Sequence, residues 1–176
     1  SADVSWSPFD SHLLLCCAGQ GSVVQLFDTR DLKSVPITGS RFSCRAFHAS
    51  WVRWNKVNEN LFAAAHDTGE IRLFDTRMDR DLNFITAHRT KFTGLDWSQN
   101  EQSMLLSSGA EKNIKIWNVE NPKDPVLVVT TGVSVLKSRF TPSGYGFAMV
   151  LQNDSNLTLW HLGNRSAPIH IFQGHT

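Results

Sequence analysis

Two series of short, aromatic-ended segments recur along this 176-residue chain with one shared period, and that repeat dictates its fold. The first series reads Val4-Ser-Trp6-Ser, Val52-Arg-Trp54-Asn, Leu95-Asp-Trp97-Ser and Lys137-Ser-Arg-Phe140-Thr, with its aromatics 48, 43 and 43 residues apart. The second reads Val24-Gln-Leu-Phe27-Asp28, Ile71-Arg-Leu-Phe74-Asp75, Ile114-Lys-Ile-Trp117-Asn118 and Leu157-Thr-Leu-Trp160-His161, spaced by 47, 43 and 43. Two independent series sharing one period make chance implausible. Each segment alternates apolar and polar residues, as a strand in a packed sheet requires. Between the series lie small apolar stretches, Leu13-Leu-Leu-Cys-Cys-Ala, Leu61-Phe-Ala-Ala-Ala, Met104-Leu-Leu-Ser-Ser and Phe147-Ala-Met-Val. They are expected to be strands buried on both faces. A more variable fourth strand follows each second-series aromatic, as in Leu82-Asn-Phe-Ile-Thr86 and Val126-Leu-Val-Val-Thr130. Linkers such as Asn121-Pro-Lys-Asp-Pro125 carry turn chemistry, and no stretch has a helical period.

Four strands per ~43 residues is the blade of a β-propeller. The expectation is an all-β chain, one partial propeller of about four four-stranded blades, with repeats at approximately 1-47, 48-91, 92-134 and 135-176. The pattern resembles the WD-repeat family, with Phe-Asp, Phe-Asp, Trp-Asn and Trp-His in place of the eponymous dipeptide. The family's Gly-His element has counterparts in Gly174-His175 and, altered, in Ala87-His88. Rings of this type close with about seven blades, so the chain reads as an excerpt. Its flanking walls of apolar surface predict aggregation or unfolding in isolation.

Composition narrows the function. Seventeen basic residues against 16 acidic ones give a net charge of +1, which argues against a role driven by phosphate neutralisation. No nucleic-acid partner is expected. No apolar run approaches a membrane span, so no direct membrane insertion is expected either, and no signal-peptide pattern opens the chain. Cys16, Cys17 and Cys44 cannot all pair internally, and the adjacent two should point to opposite faces of a strand. Free thiols in the cytosol are the simplest reading. The glycosylation-type triplets at Asn153, Asn156 and Asn164 are read as chance matches.

Several residues look catalytic. The family resemblance implies a buried hydrogen-bonded set in each blade: a His before the first strand, a Ser or Thr on the second, an Asp in the following turn, and the Trp. In the third blade it places His88, Ser107 or Ser108, and Trp117 in those roles, with Glu111 standing where Asp would be. The fourth blade offers Asp154 and Trp160 without an obvious His; in the second, Asp67 sits in the right turn while His48 and His66 compete. The same residues mimic a Ser-His-Asp triad, but a nucleophile needs exposure and an oxyanion site. Buried indole, hydroxyl and imidazole groups must each find a partner, so a structural set is expected, not an enzyme. The seven scattered histidines suggest no metal site, and Gly19-Gln-Gly21 is a turn with no helix after it, so no cofactor is expected.

Partner-binding residues are sought on the loops. The stretch Arg41-Phe-Ser-Cys-Arg45-Ala-Phe47-His48 exceeds the normal spacing by about five residues. Arg45 and Phe47 there suit an interface anchor, whereas Phe42 and Phe47 packed under a displaced outer strand is the plainer reading. Lys91 lies in an exposed polar tip. The repeated Phe27-Asp-Thr-Arg30 and Phe74-Asp-Thr-Arg77 resembles the aromatic-Asp-x-Arg box of propellers that act as substrate receptors of cullin-RING ubiquitin ligases. There the resemblance implies that Arg30 and Arg77 dock an adaptor; local pairing with the Asp is the alternative.

Four stretches narrow the resemblance: Leu61 to Arg72, Ala87 to Trp97, Val135 to Pro142, and Ala167 to His175. They resemble the propellers of WD-repeat subunits in the nutrient-sensing GATOR assembly (the SEA complex of yeast). That resemblance implies a scaffold in a multi-subunit complex that relays amino-acid sufficiency to the target-of-rapamycin kinase. It implies a cytoplasmic protein held at the lysosomal (vacuolar) surface through its complex. A cullin-ligase receptor and a chromatin or histone-binding propeller stand as alternatives. The first should cluster exposed Arg30 and Arg77 on one face, and the second should show an acidic groove.

Overall fold

A computed structural model describes residues 3–17, 23–30, 41–43, 48–78, 80–164 and 166–174. Among them the chain forms sixteen strands and no helix, arranged as four antiparallel sheets of four. In every sheet the strands pair in sequence order, each antiparallel to the one before it. The strands fall into two compact units, Ser1–Thr86 and Ala87–Thr176.

The first unit holds β1 (Asp3–Trp6), β2 (Leu13–Cys17), β3 (Val23–Asp28) and β4 (Arg41–Ser43) in one sheet. The other contains β5 (Ala49–Trp54), β6 (Leu61–His66), β7 (Glu70–Asp75) and β8 (Asp81–Thr86). Leu15, Cys17, Val24 and Leu26 of the first sheet pack with Val52, Trp54, Ala64 and Phe74 of the second. Phe42, from the stretch that exceeds the normal spacing, is buried on β4. Its ring meets Phe62 edge-on at 4.8 Å, while Phe62 stacks on Phe74 at 5.0 Å. Part of that stretch is therefore an outer strand; Arg45 and Phe47 lie outside the described residues.

The second unit holds β9 (Phe92–Trp97), β10 (Met104–Gly109), β11 (Asn113–Asn118) and β12 (Leu127–Thr130) beside β13 (Val135–Phe140), β14 (Gly146–Leu151), β15 (Leu157–His161) and β16 (His170–Phe172). Leu106, Ile114, Ile116 and Val129 interlock with Val135, Phe140, Phe147 and Met149. Gly94 is a close approach: a Cβ there would run into the Ser138 hydroxyl and lie 2.7 Å from that of Ser108.

The apolar second strands divide. β6 and β10 are buried on both faces after their first residue, whereas β2 and β14 alternate more. In β2 one face, Leu15 and Cys17, packs on the neighbouring sheet, while Leu14 and Cys16 are half-buried. Adjacent thiols thus face opposite ways, as strand geometry demands. Both are free, and burial pushes Cys17 up to about 11; Cys44 lies outside the described residues.

Side chains also stitch sheet to sheet. Asp3 Oδ2 accepts the Val52 N–H at 3.0 Å, and Ser5 Oγ accepts the Trp54 N–H at 3.0 Å. In the second unit Asp96 Oδ2 accepts the Phe140 N–H at 2.9 Å. Ser5 and Asp96 each precede the first-series aromatic of their own repeat, and each receives the N–H of the next repeat's aromatic. The first strand of each sheet is an edge strand, so these acceptors satisfy backbone donors that no neighbouring strand reaches.

Candidate functional site

The third repeat builds a closed polar relay. The indole Nε1 of Trp117 donates to Ser107 Oγ at 2.9 Å, and Ser107 Oγ lies 2.8 Å from His88 Nε2. The ionised Glu111 carboxylate can only accept, so the neutral His88 imidazole carries its proton on Nδ1, which donates to Glu111 Oε1 at 2.9 Å. Its Nε2 is then the acceptor, so Ser107 donates its hydroxyl proton there while accepting from the Trp117 indole. Glu111 Oε2 accepts the Arg89 N–H at 2.8 Å and the Thr90 hydroxyl at 3.0 Å. Lys115 Nζ donates to Ala87 O at 2.6 Å, lies 3.9 Å from Glu111, and sits over the Trp117 ring. Glutamate in the turn is long enough to hold three donors from the 88–90 segment.

Burial pushes the His88 imidazole below its ordinary value, outweighing the opposing pull of Glu111. Burial alone would raise the Glu111 carboxyl, but hydrogen bonds from His88, Arg89 and Thr90 prevail and hold it below the ordinary value. Ser107 has no exposed surface and its oxygen already accepts an indole proton. The Ser-His-acid order of a nucleophilic triad is present, but the oxygen is sealed from any substrate.

Ser108 is a separate element: its hydroxyl bonds Thr93 Oγ1 at 3.0 Å and Ser138 Oγ at 2.8 Å. This buried hydroxyl chain joins β9 and β10 to β13, and explains why Gly94 beside it carries no side chain. Nothing in the repeat pattern distinguishes it beyond the adjacent Ser107-Ser108 pair.

The other repeats keep the position and change the chemistry. Trp160 stands opposite Phe147 in register, as Trp117 stands opposite Leu105, which puts Met149 where the third repeat has Ser107. With a thioether there, the Trp160 indole turns to Thr158 Oγ1 at 3.2 Å and stacks on Phe147 at 6.1 Å. Asp154 is not joined to Trp160; its Oδ1 caps the Asn156 N–H at 2.9 Å. In the second repeat, Ala64 and Phe74 occupy the Ser107 and Trp117 positions, so there is no indole donor there to satisfy. Of its two histidines, His66 is fully buried and His48 exposed; the exposed Asp67 donates its backbone N–H to His48 O at 3.4 Å.

Arg30 and Arg77 are 56% and 69% exposed, and each clasps the aspartate two residues before it. Arg30 Nε and Nη2 reach Asp28 Oδ1 and Oδ2 at 2.8 and 2.5 Å; Arg77 makes the same pair with Asp75 at 2.9 and 2.6 Å. The Arg30 hydrogen bond holds Asp28 well below the usual carboxylate range, at about 2. Lys91 is an exposed loop residue whose carbonyl accepts the Ala110 N–H.

Four-stranded antiparallel sheets recurring about every 43 residues, one of them closed by a His-Ser-Trp relay, define a partial WD-repeat β-propeller. The chain is similar over 99% of its length to the GATOR2 complex protein WDR59 of Homo sapiens, at 29% identity, and to that of Drosophila melanogaster, at 30%. A WD repeat-containing protein of Dictyostelium discoideum is 28% identical, again over 99% of the chain. The chain spans 18% of the length of the first two relatives and 10% of the third. No family model matches it.

Proposed function

We propose that this chain is part of a non-catalytic protein-interaction scaffold, a subunit of the amino-acid-sensing complex that activates target-of-rapamycin signalling from the lysosomal surface. The observation that carries the reading is similarity to GATOR2 WDR59 proteins across 99% of the chain, not confined to one repeat. The chemistry supports it. The polar groups that mimic a catalytic set are spent on one another inside the sheet, while Arg30, Arg77 and Lys91 stand exposed on loop tips. Such tips bind proteins. Near-neutral charge favours protein partners over nucleic acid.

The test is affinity purification of the full-length protein followed by mass spectrometry, paired with imaging against a lysosomal marker under amino-acid starvation and refeeding. Recovery of the nutrient-sensing subunits with lysosomal co-localisation is expected. Recovery of cullin-ligase subunits in their place would overturn the reading in favour of a ligase receptor.

A further inference from the structure

The third sheet separates its charges between its two ends. Glu101, Glu120 and Asp124 belong to the turns that follow β9 and β11, with Lys123 among them. The opposite end is built from the residues before β9, the β10–β11 turn and the β12–β13 loop. There Arg89, Lys91 and Lys112 stand exposed. Among the described residues none of these three side chains is in an ion pair. The carboxylates of the second unit near that end are already engaged. Glu111 accepts from His88 through Oε1 and from Arg89 N–H and the Thr90 hydroxyl through Oε2, and Lys115 lies 3.9 Å from it. Asp154, on the β14–β15 turn, turns its Oδ1 to the Asn156 N–H. Lys115 offsets Glu111, so the three outer cations outnumber the acid that remains.

Hydrogen bonds hold the three loops against one another. Lys91 O accepts the Ala110 N–H at 3.2 Å, and the Ser134 hydroxyl donates to Ala110 O at 2.8 Å. Thr131 donates its N–H to Lys112 O at 2.8 Å and its hydroxyl to Val133 O at 2.6 Å. Val133, 40% exposed, therefore lies beside the cations. Each cationic residue contributes only its main chain to these bonds.

The other repeats show that the fold does not ask for the charges. His48 O accepts the Asp67 N–H and Ser134 O the Gln152 N–H, the bond that Lys91 O makes in the third repeat. Two residues before Ser134 stands Gly132, at the place of Arg89. By strand register Lys112 matches Gly69 of the β6–β7 turn. Both have a left-handed backbone, with φ of 72° and 87°. That conformation suits glycine, so a lysine is held there against its backbone preference. Strain that a turn does not require points to a role for the side chain.

We infer that this end of the third sheet is a docking site for a short acidic protein segment, whose carboxylates engage Arg89, Lys91 and Lys112 while an apolar side chain covers Val133. Anionic membranes are held by clusters of about four to eight basic residues, and nucleic acid asks for a longer cationic track. Three cations beside one apolar residue fit a peptide. The inference deepens the scaffold reading and rests on it only in that a protein is docked. Purification reads complex membership and direct binding reads this site, so either can fail without the other.

The experiment measures fluorescence anisotropy of the full-length protein with a labelled synthetic peptide alternating Glu with Val, beside a Gln–Val version. Sedimentation with phosphatidylserine-containing vesicles is followed in parallel. The Glu peptide should bind about ten-fold or more tighter than the Gln peptide, and the preference should shrink as salt rises. The Arg89→Gln/Lys91→Ser/Lys112→Gly variant should bind the two peptides alike. Lys112→Gly alone should weaken the Glu peptide about three-fold, with a melting temperature that holds or rises because the strained backbone is relieved. Equal binding of Glu and Gln peptides by the wild type would overturn the inference, as would a triple variant that keeps the preference. A triple variant that loses vesicle binding while retaining the Glu peptide would assign the cations to a lipid surface instead.

Discussion

Ser107 is where a single atom has most to lose. Its hydroxyl accepts from Trp117 and donates to His88, so Ser107→Ala strands two buried groups at once. The expected loss is about 1–3 kcal/mol, read as a lower denaturation midpoint at unchanged slope. Trp117→Phe removes the donor along with its need for a partner and should cost less than Ser107→Ala. The second repeat already makes that exchange, with Phe74 over Ala64. The relay also sets a pH dependence. Unfolded, His88 titrates near 6.5; folded, burial holds it lower, so the unfolded chain binds more protons as pH falls below 6.5. Stability from this site is complete above that value and erodes on acidification. Glu111, held below its ordinary 4.5, adds a second loss at lower pH. Denaturation midpoints from pH 7.5 to 5 should fall, and His88→Phe should flatten the slope while lowering the plateau.

At the scale of strands, Asp96 joins two sheets by accepting the Phe140 N–H and approaching Arg139 at 3.4 Å. Asp96→Ala leaves a buried backbone donor without its acceptor, and Asp96→Asn keeps an acceptor oxygen. Amide exchange should show Phe140 losing protection in the first variant and largely retaining it in the second. Gly94→Ala is the steric counterpart. Its methyl would meet the Ser138 and Ser108 hydroxyls, so a cost of about 1–3 kcal/mol is expected from overpacking. These elements also mark how far the sequence could be read. Periodic aromatics exposed the strands because burial repeats with the fold. Phe42 packed under an outer strand was legible from the excess spacing, but the Thr93–Ser108–Ser138 chain and the sheet-to-sheet acceptors were invisible, since each depends on which residue lies across a gap. The four-part set was legible in the third repeat, where Glu111 does the work of Asp. It was not legible in the fourth, because the indole's partner depends on whether the register opposite supplies Met149 or a hydroxyl.

For the molecule as a whole, the decisive quantity is apolar surface left facing water. Val4 and Trp6 on β1 are each 53% exposed, and Ile171 and Phe172 on β16 are 52% and 48% exposed. Strands with such faces gain by covering them, at about 25 cal/mol per Å² of apolar area removed from water. A net charge of +1 supplies little repulsion to oppose that contact. The 176-residue chain alone should therefore self-associate, with the mass from light scattering rising with concentration. Trp6→Lys with Phe172→Lys removes exposed apolar area and adds charge, and should shift that distribution toward monomer without disturbing the Ser107 relay. The pH slope of the denaturation midpoint reports on that relay and should be the same in both forms. A wild-type chain that stays monomeric across the concentration range and melts in one sharp transition would show these faces to be harmless.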